Sequence, residues 1–163
     1  MTLRRKFSGV RCRGHAALAV LLSALLVGPG CRESVLDPDV PPGATVVISQ
    51  FNIWGHDHYV VNSAALEGDR LSIEVSYGGG CREHTFTLVI SETFLESDPV
   101  QLPAVLAHDA NGDTCEAWLT ATHVFDLALV RTHYRQAYGA GPGRVVLQIE
   151  GVSRHDFLYE FTA

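Results

Sequence analysis

The sequence predicts an all-β domain, an antiparallel β-sandwich or open barrel of about seven strands, behind a cleaved export signal and a short tether. Three observations carry this. Beyond residue 43 the apolar side chains recur with period two: Leu71, Ile73, Val75 and Tyr77 alternate with Ser72, Glu74 and Ser76, and Phe86, Leu88 and Ile90 alternate with Thr85, Thr87 and Val89. Residues tolerant of positive φ interrupt the runs at Glu67 to Asp69, Gly78 to Gly80, Asn111 to Asp113 and Gly139 to Gly143. Helical periodicity is confined to 125–138, where Phe125, Leu127, Leu129 and Val130 mix both periods.

The elements follow in chain order. Residues 1–30 carry five cations (Arg4, Arg5, Lys6, Arg11, Arg13), no carboxylate, and then the apolar stretch from Ala16 to Val27. That run is shorter than the roughly 20 residues a spanning helix needs, so the segment reads as a signal peptide. Arg4, Arg5, Lys6 and Phe7 resemble the core of a twin-arginine signal, and the route of export stays open. The segment ends Leu26-Val-Gly-Pro-Gly-Cys31, which resembles a bacterial lipobox, with Gly30 before the cysteine. The expectation is that Cys31 is lipidated and becomes the mature N-terminus, placing the protein at the inner or outer membrane of the cell envelope, facing periplasm or surface. The alternative is an ordinary secretory signal with Cys31 left as a thiol.

Residues 31–43 hold three prolines and a glycine and no hydrophobic period, as a lipid-anchored flexible tether would. The β-sandwich domain is expected over 44–163, with strands near 45–51, 57–62, 71–77, 84–91, 116–124, 144–150 and 156–162.

Removing the signal changes the charge. The whole chain is −6; the mature 133 residues keep seven arginines against all eighteen carboxylates, which is −11. Such acidity argues against a nucleic-acid partner, since phosphates repel carboxylates. It favours a cationic partner, an envelope protein among them, or divalent ions. The mature part has no lysine and no methionine. Schiff-base catalysis, a phosphate-loop lysine and methionine-ligated copper or haem are thereby excluded.

Cys12 leaves with the signal, so the domain retains Cys81 and Cys115. In an oxidising compartment two cysteines usually pair, and closing a loop of 34 residues would add about 3–4 kcal/mol in the chain-entropy model. Each cysteine also has a nearby histidine, His84 in Cys81-Arg-Glu-His84 and His108 seven positions before Cys115. Cys81, His84, His108 and Cys115 are a complete tetrahedral set for zinc, structural or, with an open position, hydrolytic. A weaker metal candidate is His56, Asp57 and His58, in which a strand would set both imidazoles on one side. Asp109, Asn111 and Asp113 alternate as in a calcium loop, but Thr114 and Thr120 stand where that loop needs glycine and a bidentate acid. An Asx-rich turn is the reading there. No G-x-S-x-G, H-E-x-x-H or phosphate loop occurs; Gly78, Gly79 and Gly80 precede a strand, without the helix N-terminus that phosphate sites use.

The stretch Tyr77-Gly-Gly-Gly-Cys81-Arg-Glu-His84-Thr-Phe86-Thr-Leu88, with Leu106-Ala-His108-Asp109, Asp113-Thr-Cys115 and Phe125-Asp126-Leu127, resembles a group of uncharacterised exported bacterial lipoproteins. More distantly it is similar to the C-terminal β-domain of NigD-like lipoproteins. The resemblance spans roughly residues 70–130. It implies a lipid-anchored β protein without an assigned reaction, with Cys81, His84, His108 and Cys115 as its shared constellation. The functional expectation is a membrane-anchored binding or structural module, the alternative a zinc protein.

Overall fold

The computed structural model describes residues 44–152 and 157–163. These residues form β1 (Thr45–Ile48), β2 (Tyr59–Glu67), β3 (Arg70–Gly79), β4 (Thr85–Ile90), β5 (Val100–Asp109), β6 (Ala117–Asp126), α1 (Ala128–Tyr138), β7 (Gly143–Ile149) and β8 (Phe157–Phe161), with a 3-10 turn at Phe51–Ile53. The expected signal, Cys31 and the tether lie outside them.

Two sheets make a curled half-barrel, β1-β4-β5-β7-β8 and β2-β3-β6. The all-β reading holds, with the helix where the mixed periods lie. Antiparallel pairing holds for β2–β3, β3–β6, β4–β5 and β7–β8. The pairs β1–β4 and β5–β7 are parallel. The reason is that the chain changes sheets: after β1 it makes the β2–β3 hairpin and returns as β4, and after β5 it makes β6 and α1 and returns as β7. A parallel neighbour needs such an excursion.

Strand β5 is absent from the sequence expectation. Pro103 sits in its middle, and proline ordinarily disqualifies a central strand. Here the ladder to β4 ends at the Ile90–Ala104 pair, and the Pro103 carbonyl accepts from the Ser91 N–H just beyond it (2.9 Å). The position without an N–H is thus opposite Ser91, one residue past the end of β4.

The period-two pattern becomes burial directly. Leu71, Ile73 and Val75 of β3, with Phe125 beside Leu71 on β6, pack in one core with Leu88 and Ile90 of β4, Leu102 of β5 and Leu147 of β7, all wholly buried. At about 25 cal/mol per Å² of apolar surface removed from water, this shared core is the main stabiliser. Helix α1 begins where Asp126 Oδ1 accepts the Ala128 N–H (2.8 Å), and ends at Gly139, whose φ of 94° and N–H to the Arg135 carbonyl (3.0 Å) close the last turn. Beside the helix Asp69, in the β2–β3 turn, accepts from Tyr159 Oη (2.6 Å) and Arg131 (2.7 Å), tying the two sheets at that end.

Candidate functional site

The opposite end is where the chain crosses between sheets, at the β3–β4 and β5–β6 connections. Cys81 lies in the first and Cys115 in the second, joined as a disulfide with Cα atoms 5.9 Å apart. The cross-link therefore ties the start of β4 to the start of β6.

Beside it stands Asp113, which the sequence placed only in an Asx-rich turn. Asp113 Oδ2 accepts three successive backbone N–H groups, from Gly80 (2.9 Å), Cys81 (2.8 Å) and Arg82 (2.9 Å), and Oδ1 accepts from Cys115 (2.9 Å). Successive amides converging on one oxygen form an anion nest. The Cys115 N–H first, and then those of Arg82 and Cys81 with His84, hold the Asp113 carboxyl well below the usual carboxylate range, against burial that would raise it. The glycines make room. A Cβ on Gly79, whose φ is 151°, would stand 2.5 Å from His84 Nε2 and 3.0 Å from Asp113 Oδ2.

His84 and His108 continue the network inward. His108 Nδ1 meets the Asp57 carbonyl (3.2 Å), its Nε2 meets His84 Nδ1 (2.9 Å), and His84 Nε2 meets Asp113 Oδ2 (3.3 Å). The Asp57 carbonyl and the Asp113 carboxylate only accept, so His108 Nδ1 and His84 Nε2 donate at the two ends of the chain. Burial, reinforced by the charge of His84, pushes the His108 imidazole below its ordinary value, despite the Asp57 carbonyl. Phe86 stacks on His108 (4.2 Å between centroids) and Tyr77 lies against His84 (4.8 Å).

A carboxylate and two imidazoles in a row resemble a catalytic relay, but their side chains are buried. The side chains of His84 and Asp113 are 2% and 0% accessible, and His108 is 1% accessible. The network is a structural lock.

The same geometry shows how the donors of the zinc alternative are engaged. Structure brings Cys81, His84, His108 and Cys115 together, but the sulfurs are bonded to each other and so are not thiolates, while the imidazole nitrogens are engaged with each other, Asp57 and Asp113. The ligand-type atoms of Cys81, Asp113 and Cys115 lie within 4.8 Å of one another, and the same disulfide removes two of those three donors. His56, Asp57 and His58 stay exposed. Asp57 serves as a strut, its Oδ2 accepting the Ala110 N–H (2.7 Å) and its carbonyl meeting His108. The Asx turn is as read: Asp109 Oδ1 accepts the Asn111 N–H (2.8 Å), and Asn111 and Gly112 have φ of 52° and 63°.

No protein-family model and no curated protein matches the chain. Among solved structures, a NigD-like immunity protein from Bacteroides caccae superposes with a TM-score of 0.49 at 17% identity, over 74% of this chain and 59% of that one. This chain is distantly similar to NigD-like proteins. A protein of unknown function from Bacteroides vulgatus gives a TM-score of 0.46 at 13% identity, over 76% of this chain and 57% of that one. A protein assigned as a lipoprotein from Bacteroides fragilis gives 0.45 at 12%, over 74% and 69%. The chain thus spans somewhat under two thirds of the NigD-like structure it matches.

Proposed function

We propose that this protein is an exported lipoprotein, tethered to the cell envelope through Cys31, whose β-domain is a binding module for a cationic partner. The observation that carries the reading is charge. The described residues contain fourteen carboxylates and five arginines, so nine carboxylates stay uncompensated even if every arginine takes one. A surface of that sign raises the local concentration of cations and speeds their association. The sealed His84–Asp113 lock supports binding over catalysis, because the one acid and base array at the disulfide end has no access for substrate.

Titration of the purified protein with decalysine tests this. Affinity should fall at least tenfold between 20 and 200 mM salt, since the distance over which exposed charges are screened shrinks from about 20 Å to about 7 Å. Binding that ignores salt, or no binding at 20 mM, would defeat the proposal.

A further inference from the structure

At the end of the half-barrel opposite the disulfide lies a cleft of about 1130 Å³, between the β2–β3 turn, the residues leading into β5, α1, the start of β7 and the end of β8. We propose that this cleft binds an organic carboxylate with a planar or apolar body, and that Arg135 receives the carboxylate.

The distribution of arginine comes first. Of the five described arginines, Arg70, Arg131, Arg135 and Arg144 line this cleft, while Arg82 bonds the Asn111 carbonyl at the far end. Arg131 is committed to Asp69 at 2.7 Å and Arg144 to Glu160 at 3.0 Å. Arg135 is different. It donates from one terminal nitrogen to the Thr162 carbonyl (2.8 Å), its Cζ stands 5.7 Å from the Phe161 ring centre, and its buried Nε has no partner. Carboxylates outnumber arginines by fourteen to five among the described residues, so a guanidinium needing only neutralisation would find an acid. The fold instead pairs this one with a main-chain carbonyl and an aromatic ring and with no carboxylate.

The second argument is local charge. Arg131 and Arg135 lie four residues apart on one face of α1, where like charges repel. Asp69 compensates the first, which leaves the positive charge at the second. Glu67, Asp98 and Glu160 also line the cleft, so a dianion such as phosphate meets more repulsion than a monoanion. The guanidinium fork matches a carboxylate in two parallel hydrogen bonds.

The third is the wall. Tyr134 and Phe161 meet edge to face at 5.4 Å directly over Gly143, where a Cβ would stand 2.4 Å from Phe161 and 2.7 Å from Tyr134. Pro99, Val100 and Pro142 continue the apolar lining. An apolar wall beside a cation suits an amphipathic monoanion. The volume, at the upper limit of the roughly 300–1,000 Å³ usual for small-molecule sites, admits one with water.

Benzoate is the probe, with benzamide and benzamidine as its neutral and cationic analogues, titrated into the full-length protein and followed by backbone amide NMR. Benzoate should shift the amides of Tyr134, Gly143 and Phe161 saturably, at least tenfold more tightly than benzamide, and benzamidine should not bind there. Arg135→Gln should lose at least tenfold in benzoate affinity, Arg135→Lys should lose less, and Arg82→Gln should behave as wild type. Equal affinity for benzoate and benzamide, shifts elsewhere only, or unchanged benzoate binding in both Arg135 variants would overturn the assignment. If Arg135→Gln does not fold, Arg135→Lys and the benzamide comparison still decide.

Discussion

Asp113 shows how one side chain can organise an end of a domain. Its two oxygens accept four backbone N–H groups from both crossover connections, and a fifth contact comes from His84. The sequence offered a hint, an acid two positions before a cysteine in an Asx-rich turn, but the three donors lie more than thirty residues away and no local spacing announces them. The residue has a definite pH signature. The folded carboxyl is lowered below its ordinary value of 3.8, so the unfolded chain takes up the proton first as acid is added. Its stabilisation is complete above about 3.8 and lost as pH falls from there towards the folded value. Acid also relieves repulsion among the other carboxylates, so the effect is read as a difference. Wild type should exceed Asp113→Asn in urea midpoint at pH 7, by a margin that shrinks below pH 4. A margin constant down to pH 2.5 would contradict the nest. Gly79→Ala probes the same corner sterically. With φ at 151° and His84 Nε2 2.5 Å from the new Cβ, it should lower stability by about 1–3 kcal/mol, the usual cost of overpacking, as read by chemical denaturation.

At the scale of elements, alternation made most strands legible, because strands such as β3 and β8 bury one face more deeply than the other; β4 is buried on both, from Phe86 to Ile90. The segment 71–77 became β3, and 156–162 became β8 with Phe157, Tyr159 and Phe161 inward. What was not legible is equally physical. The tolerance of β5 for Pro103 depends on where β4 stops, and the parallel pairs depend on sheet changes made far away in the chain. The candidate site divides the same way. The Cys81–Cys115 bond was legible from two cysteines in an exported domain, and His84 and His108 as residues near them; that the histidines would face Asp57 and Asp113 required the fold. The disulfide lies where it constrains most, across both crossovers. Replacing Cys81 and Cys115 together by serine should cost about 3–4 kcal/mol by the loop-entropy argument, measured by urea denaturation against the oxidised parent. Thiol titration of the native protein should find neither cysteine reactive. Two titratable thiols at these positions, with bound zinc, would restore the metal reading.

For the molecule as a whole, the two ends have opposite characters. One is closed by a disulfide, an anion nest and a sealed histidine pair; the other carries the arginine-lined cleft. Both ends are built from the described residues, as is the core of β3, β4, β5 and β7. This separation makes the tether testable independently of the domain. If Cys31 carries the anchor, Cys31→Ser should move the protein from the membrane fraction to the soluble envelope fraction, and the mature N-terminus of wild type should show a lipid mass by mass spectrometry. The urea midpoint should change by less than about 0.5 kcal/mol equivalent, as is usual for a substitution touching nothing buried. Decalysine binding should keep its affinity and salt dependence, because the carboxylates that attract it belong to the folded part. Membrane retention of Cys31→Ser would remove the lipid anchor while leaving the charge argument intact. Loss of decalysine binding with normal release would do the reverse, placing the cationic recognition in the tether instead of the domain.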